Sequence, residues 1–241
     1  MNPALRKQYL AAMGLESWVM RSPRTQSGRA PLPPGAGSGA DAEATAGDAP
    51  HAARESSFDW QALRERVAAC TRCGLAATRT QTVFGTGALG AQWMVVGEAP
   101  GAEEDRRGEP FVGRAGQLLD AMLRAMGLAR DEVYIANLLK CRPPDNRDPL
   151  AGEVFECLPY LERQIALLQP KILLAVGRIA AQNLLQTTLP LGRLRQQVHA
   201  FGASQTPLVV TYHPAYLLRT PLDKRKAWED LRFAREVSMR G

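Results

Sequence analysis

Trp93-Met94-Val95-Val96 runs straight into Gly97-Glu98-Ala99-Pro100-Gly101-Ala102-Glu103-Glu104-Asp105. After two arginines the chain continues Gly108-Glu109-Pro110-Phe111-Val112-Gly113-Arg114-Ala115-Gly116-Gln117, and then Leu118-Leu119-Asp120-Ala121-Met122-Leu123. The short apolar run reads as a strand buried on both faces, and the later apolar spacing reads as a helix. A long loop therefore leaves the carboxyl end of a strand and enters a helix, the edge at which ligands bind in open α/β sheets. Its glycines allow close backbone approach, Pro100 and Pro110 stiffen it, and loops of this length inside a domain are usually functional. Neither G-x-x-x-x-G-K-[ST] nor G-x-G-x-x-G is present. Glu98, Glu103, Glu104 and Asp105 would repel a triphosphate unless a metal intervened, so the loop reads something other than nucleotide phosphate.

Working outward, Val133-Tyr134-Ile135-Ala136-Asn137-Leu138-Leu139, Lys171 to Val176 and Leu208 to Thr211 are further strand-like runs. Glu153 to Leu168 and Ile179 to Leu185 read as helices, and residues 189 to 206 as an irregular excursion bearing Arg193 and Arg195. Strand–helix alternation over this length predicts a parallel sheet covered on both faces. Asn137 then stands near one strand's carboxyl end, where an amide offers both a donor and an acceptor to a nucleobase edge. Of three histidines, His51, His199 and His213, the last leaves another strand end and is held by Pro214. Glu98, Asn137 and His213 are expected to converge on one edge.

The chain has 241 residues, a net charge of +6 and a pI near 9.4, which favours a polyanionic partner. It has no apolar run long enough to cross a bilayer, and its first twenty residues lack the apolar core of a signal peptide. A cytoplasmic protein without a membrane partner is expected. Residues 1 to 21 carry Leu5, Tyr9, Leu10, Met13, Trp18 and Val19, an amphipathic helical pattern interrupted by Gly14. That helix either packs on its own domain or docks a protein partner. Residues 22 to 57 are rich in Pro, Gly, Ala and Ser without periodicity, the composition of a disordered linker. The folded domain is expected over 58 to 241.

All four cysteines fall in that domain. Cys70-Thr71-Arg72-Cys73 ends the helix-like stretch Trp60 to Ala69, Cys141 follows the second strand, and Cys157 comes fifteen intervening residues later. In a cytosolic chain a C-x-x-C with two distant cysteines points to a metal or cluster. Zinc and iron–sulfur both use four thiolates, and spacing alone leaves both open. A zinc ribbon wants a second C-x-x-C, whereas a cubane tolerates separated ligands, which favours iron–sulfur.

Taken together, Gly97-Glu98-Ala99-Pro100-Gly101, Pro110-Phe111-Val112-Gly113-Arg114-Ala115-Gly116, Asn137 with Lys140-Cys141-Arg142-Pro143-Pro144, and His213-Pro214-Ala215-Tyr216-Leu217-Leu218-Arg219 resemble a family 4 uracil-DNA glycosylase. This is the iron–sulfur branch of the uracil-DNA glycosylase superfamily, and the resemblance runs from about Phe58 to the C-terminus. It implies a three-layer α/β/α sandwich with a short, mostly parallel four-stranded central sheet. It also implies a structural [4Fe–4S] cluster on Cys70, Cys73, Cys141 and Cys157. By the same resemblance Phe111 stacks on a flipped uracil, Asn137 pairs with its polar edge, and Gly97, Glu98 and Ala99 line the pocket, with Glu104 supporting its polar network. His213 would donate to uracil O2 as the base departs, and Tyr216 or Leu217 would fill the gap left in a duplex. Arg219 and Arg142 would hold phosphates. The implied partner is uracil-containing DNA, single- or double-stranded, bound by a monomer.

One position departs from the better-known members of the superfamily. Where they carry an aspartate that positions the attacking water, this chain has Ala99, so Glu98 or backbone carbonyls must take that role. Ala99-Pro100-Gly101 also differs from the Gln-Pro-Gly of a uracil-crosslinking branch, and no basic insertion with a histidine follows Arg114, so covalent trapping of the base is not expected. The implied activity is monofunctional hydrolysis without a lyase step. The alternative is an Fe–S protein that binds uracil-containing or single-stranded DNA with little turnover.

Overall fold

A computed structural model describes residues 60–240; the helix expected over 1–21 and the linker over 22–57 lie outside the described residues. In chain order the elements are α1 (Trp60–Ala68), β1 (Thr86–Gly87), β2 (Trp93–Gly97), α2 (Ala102–Arg107), α3 (Arg114–Ala125), β3 (Tyr134–Asn137) and α4 (Ala151–Leu168). There follow β4 (Ile172–Val176), α5 (Arg178–Leu184), α6 (Leu191–Leu194), β5 (His199–Phe201), β6 (Thr206–Thr211), α7 (Pro214–Arg219) and α8 (Lys224–Ser238).

The sheet order is β1-β3-β2-β4-β6-β5. Strands β3, β2, β4 and β6 are mutually parallel, and every residue of β2, β3 and β4 is buried. This is the expected parallel core. The structure adds two edge strands, β1 and β5, both antiparallel to their neighbours. They are two and three residues long, too short to leave a period in the sequence, and β5 lies inside the stretch read as irregular.

The pleat divides the apolar side chains between two cores. Met94, Val96, Leu173 and Ala175 pack with Leu63 and Val67 of α1 and with Leu161 and Ile165 of α4. Val95, Ile135, Leu174 and Val209 pack with Leu119 and Leu123 of α3 and with Ala227, Leu231 and Ala234 of α8. Helices thus cover both faces, giving the three layers.

Arg195, from the stretch between β4 and β6, turns inward. Its Nε donates to the fully buried Asp230 of α8 at 2.7 Å, and the same carboxylate accepts from Gln196 Nε2 at 2.7 Å and Thr211 Oγ1 at 2.9 Å. Removing one partner would leave an uncompensated buried charge, a loss of about 3–5 kcal/mol. Asp230 therefore clamps α8 to β6 through Thr211 and to the segment before β5 through Arg195 and Gln196.

Candidate active site

The parallel register sets Gly97 beside Asn137 at the carboxyl edge. Pairing continues past the strands, with Leu138 N–H donating to Gly97 O at 2.9 Å and Leu139 N–H to Glu98 O at 3.0 Å. Together with the exit of β6 at His213, this brings the three expected polar groups into one cleft of about 480 Å³. Glu98, Ala99, Glu104, Phe111, Asn137, His213, Tyr216 and Arg219 all line it.

Gly97 lies behind the lining and makes the cleft possible. A Cβ there would collide with Asn137 Oδ1 and come within 2.7 Å of the Phe111 ring. Phe111 has φ of 53°, a left-handed backbone costly for an aromatic residue and typical of sites held by their surroundings. Gly116, in the first turns of α3, permits this, because a Cβ on it would collide with the Phe111 carbonyl. The Phe111 ring lies 5.6 Å from that of His213, tilted by 31°.

Glu104 shapes the loop rather than facing a ligand with free oxygens. Its Oε1 accepts from the N–H of Val112 at 3.0 Å and of Gly113 at 3.1 Å, and Oε2 accepts from Gly101 N–H at 3.1 Å. One carboxylate on α2 thus pins both ends of the segment that carries Phe111. Asp105, buried beside it, accepts from Thr80 N–H at 3.0 Å and ties α2 to the chain before β1. The expectation of an unbroken loop between Gly97 and Gln117 is corrected here, since α2 lies within it.

Asn137 is 2% exposed. Its Oδ1 is buried without a hydrogen-bond partner, alone in this among the described side-chain nitrogens and oxygens. Such an atom costs about 1–3 kcal/mol unless a ligand satisfies it. His213 caps α7, and its Nδ1 accepts from Ala215 N–H at 3.1 Å. That bond places the ring proton on Nε2. Burial, reinforced by the charge of Arg219, holds the imidazole near a pKa of about 4, against a smaller opposing influence of Glu104. Around neutral pH the ring is a neutral Nε2–H donor. Glu98 is shifted the other way, up to about 7, chiefly by burial and further by the negative Asp148, with Arg178 opposing. Asp148 is itself paired with Arg178 at 3.0 Å.

Leu217, expected to contact DNA, is 1% exposed and packs in the core beneath α7. The helical turn that points Tyr216 to the cleft points its neighbour inward, so Leu217 cannot reach a duplex without unpacking.

The four cysteines form a second centre, lining one cavity together with Arg79 and Tyr160. Cys141 and Cys157 are buried, Cys70 and Cys73 half-buried. Arg79 Nη1 donates to Cys141 Sγ at 3.2 Å, and Lys140 N–H donates to Cys157 Sγ at 3.2 Å. Burial pushes the Cys157 thiol up to about 12, so it yields its proton only to a strongly bound cation. The donor set is four sulfurs, of which those of Cys141 and Cys157 accept from N–H groups, and this fits a thiolate-ligated group. Among the described residues no three or more His, Cys, Asp or Glu stand close enough together to hold a metal ion as they are placed.

Lys140, which is 1% exposed, joins the two centres. Its Nζ donates to Asn137 O at 2.8 Å and to Gln164 Oε1 at 2.6 Å. Gln164 in turn donates to Phe84 O at 2.9 Å.

Residues 84–232 match the model of the uracil DNA glycosylase superfamily. The type-4 uracil-DNA glycosylase of Pyrobaculum aerophilum is 42% identical over 180 residues, 72% of this chain and 92% of that protein. That of Archaeoglobus fulgidus is 43% identical over 161 residues, 64% of this chain and 81% of that protein. That of Thermotoga maritima is 41% identical over 159 residues, 65% and 82% of the two chains.

Proposed function

This chain belongs to the type-4 uracil-DNA glycosylases of the uracil-DNA glycosylase superfamily, and from that premise we propose that its cleft takes a deoxyuridine swung out of DNA and hydrolyses the N-glycosidic bond. The products are free uracil and an abasic site. The observation that carries this reading is the orphaned Oδ1 of Asn137. Uracil presents a donor at N3, and an acceptor buried without a partner is its complement. Cytosine presents a lone pair at N3 and would leave Oδ1 facing another acceptor.

Extrusion of the nucleotide costs a few kcal/mol, and stacking on Phe111 offsets about 1–3 kcal/mol of it. As the C1′–N1 bond breaks, its electron pair leaves on the base, and His213 Nε2–H donates to O2 where negative charge gathers. Water adds to C1′ of the cationic sugar, and the proton it loses neutralises the departed uracil anion by way of solvent. Glu98 is the group we assign to orient that water and balance the sugar's charge. Tyr216 and the exposed Arg219 stand at the mouth, where Arg219 holds a phosphate and makes affinity salt-dependent. All these groups come from one chain, which supports action as a monomer. The four cysteines would hold a [4Fe–4S] cluster, which when bound supplies a cross-link between the end of α1, the segment after β3, and α4.

Because Glu98 titrates near 7, it is neutral below that pH and charged above it. The single-turnover rate is expected to rise as pH passes through about 7 and then level off. Glu98→Gln should flatten that rise and lower the plateau about tenfold, less than the 10²–10⁴ of a full general base. A profile unchanged by the substitution would remove Glu98 from the chemistry.

The reading itself is tested by release of uracil from end-labelled single-stranded and U:G oligonucleotides, with alkaline cleavage at the abasic site and thymine and cytosine controls. Scission at uracil alone is expected. Tight binding by cluster-loaded protein without scission would overturn it. Asn137→Ala should slow uracil release by about 10²-fold, the scale of two lost hydrogen bonds, and erode the preference for uracil over cytosine.

A further inference from the structure

Leu222 is 90% exposed, the most exposed large apolar side chain among the described residues. It sits in the tight turn Pro221–Asp223 between α7 and α8. That turn is held on both sides. The Tyr216 hydroxyl donates to Asp223 at 2.6 Å, Thr220 N–H donates to Tyr216 O at 2.9 Å, and Lys226 pairs with Asp223 at 2.8 Å. Since Tyr216 also lines the cleft, the turn is a braced extension of the cleft's rim, and Pro221 stiffens it further.

The charges around Leu222 follow a pattern. Arg219 precedes it, and Lys224, Arg225 and Lys226 follow, all of them exposed. The last three occupy the first turn of α8, which holds no acid. Positive charge there opposes the helix dipole; Arg225 is paired with Glu229 at 3.4 Å and Lys226 with Asp223 at 2.8 Å, and the cations still outnumber the acids around the turn. An apolar tip set among cations is complementary to a base stack bordered by phosphates.

Leu217 is spent in the core, as shown above. Resting on the reading of the cleft as a uracil site, we propose that Leu222 is the wedge that enters the duplex when the uracil leaves it. The side chain fills the vacated step and holds the base out, as apolar wedges do at kinked steps. A single strand has no such gap, so Leu222 serves duplex substrates only.

The test is single-turnover uracil release by Leu222→Ala from single-stranded, U:G and U:A substrates, with 2-aminopurine beside the uracil to report unstacking. The variant should lose about tenfold on U:A and less on U:G, whose mispaired base is easier to extrude. The single-stranded rate should stay within about twofold, and the fluorescence rise on U:A should weaken. Leu222→Met keeps apolar volume and should retain the duplex rates. Equal loss on all three substrates, no loss on any, or loss in the methionine variant as large as in the alanine one would overturn the wedge. Wild-type protein that releases uracil from single strands keeps the reading of the cleft intact even then; wild-type protein that releases none removes that reading and the wedge together.

Discussion

Replacing His213 with alanine is expected to lower the single-turnover rate of uracil release by about 10²–10³-fold, the usual cost of removing one donor aimed at developing negative charge. Affinity for DNA carrying a non-cleavable deoxyuridine analogue should stay within about threefold, because the lost bond strengthens only as the base departs. The geometry makes the pH behaviour specific. Nδ1 is engaged by Ala215 N–H and the pKa is held at about 4, so the proton on Nε2 is present throughout the neutral range. The factor separating wild type from variant should therefore be the same at pH 6 and pH 9. An equal loss of affinity and rate, or a factor that vanishes as pH rises through 6 to 7, would contradict a neutral donor.

Serine in place of Cys157 should remove the broad visible absorption of a cubane cluster and lower the melting temperature by on the order of 10 °C. That figure takes about 3–5 kcal/mol for breaking one partner of a buried charged set at about 2–4 °C per kcal/mol for a domain of this size. Cys157 lies on α4, and its sulfur accepts the Lys140 N–H, so the lost ligand also loosens the join between α4 and the chain after β3. Loading releases protons from the thiols, so cluster retention should weaken in acid. Absorption spectra, iron and zinc analysis and melting curves of the two proteins read this out. A colourless wild-type protein containing zinc would replace the cluster with a single ion.

Much of the site is legible in the sequence because it hangs on features with strong local signals. The apolar runs 93–96 and 172–176 are strands of the parallel core, and parallel register then carries Glu98 and Asn137 to one edge without further information. Leu217 shows where local reading stops. Two adjacent leucines follow Tyr216, and only the helical phase of α7 decides that Leu217 is buried. The α2 helix was hidden because six mostly charged residues, Ala102–Arg107, carry no apolar period; tertiary bonds of Glu104 and Asp105 hold it in place. Helix α8 leaves little sign in the sequence, since its inward face is built from Ala227, Leu231 and Ala234 among many charges. The burial of Lys140 has no local sign, for its acceptors lie on Asn137 and on Gln164, twenty-four residues away.

The three residues between Asn137 and Cys141 have a consequence for fidelity. In the proposed reading, the amide assigned to base selection and one of the thiols assigned to the cluster share one short, buried stretch, bolted down by Lys140. A protein whose cysteines fail to assemble their group would lose support on the Cys141 side of that stretch while Lys140 still holds the Asn137 carbonyl. On those roles, incomplete maturation would show as slower and less selective base release together, rather than as either alone.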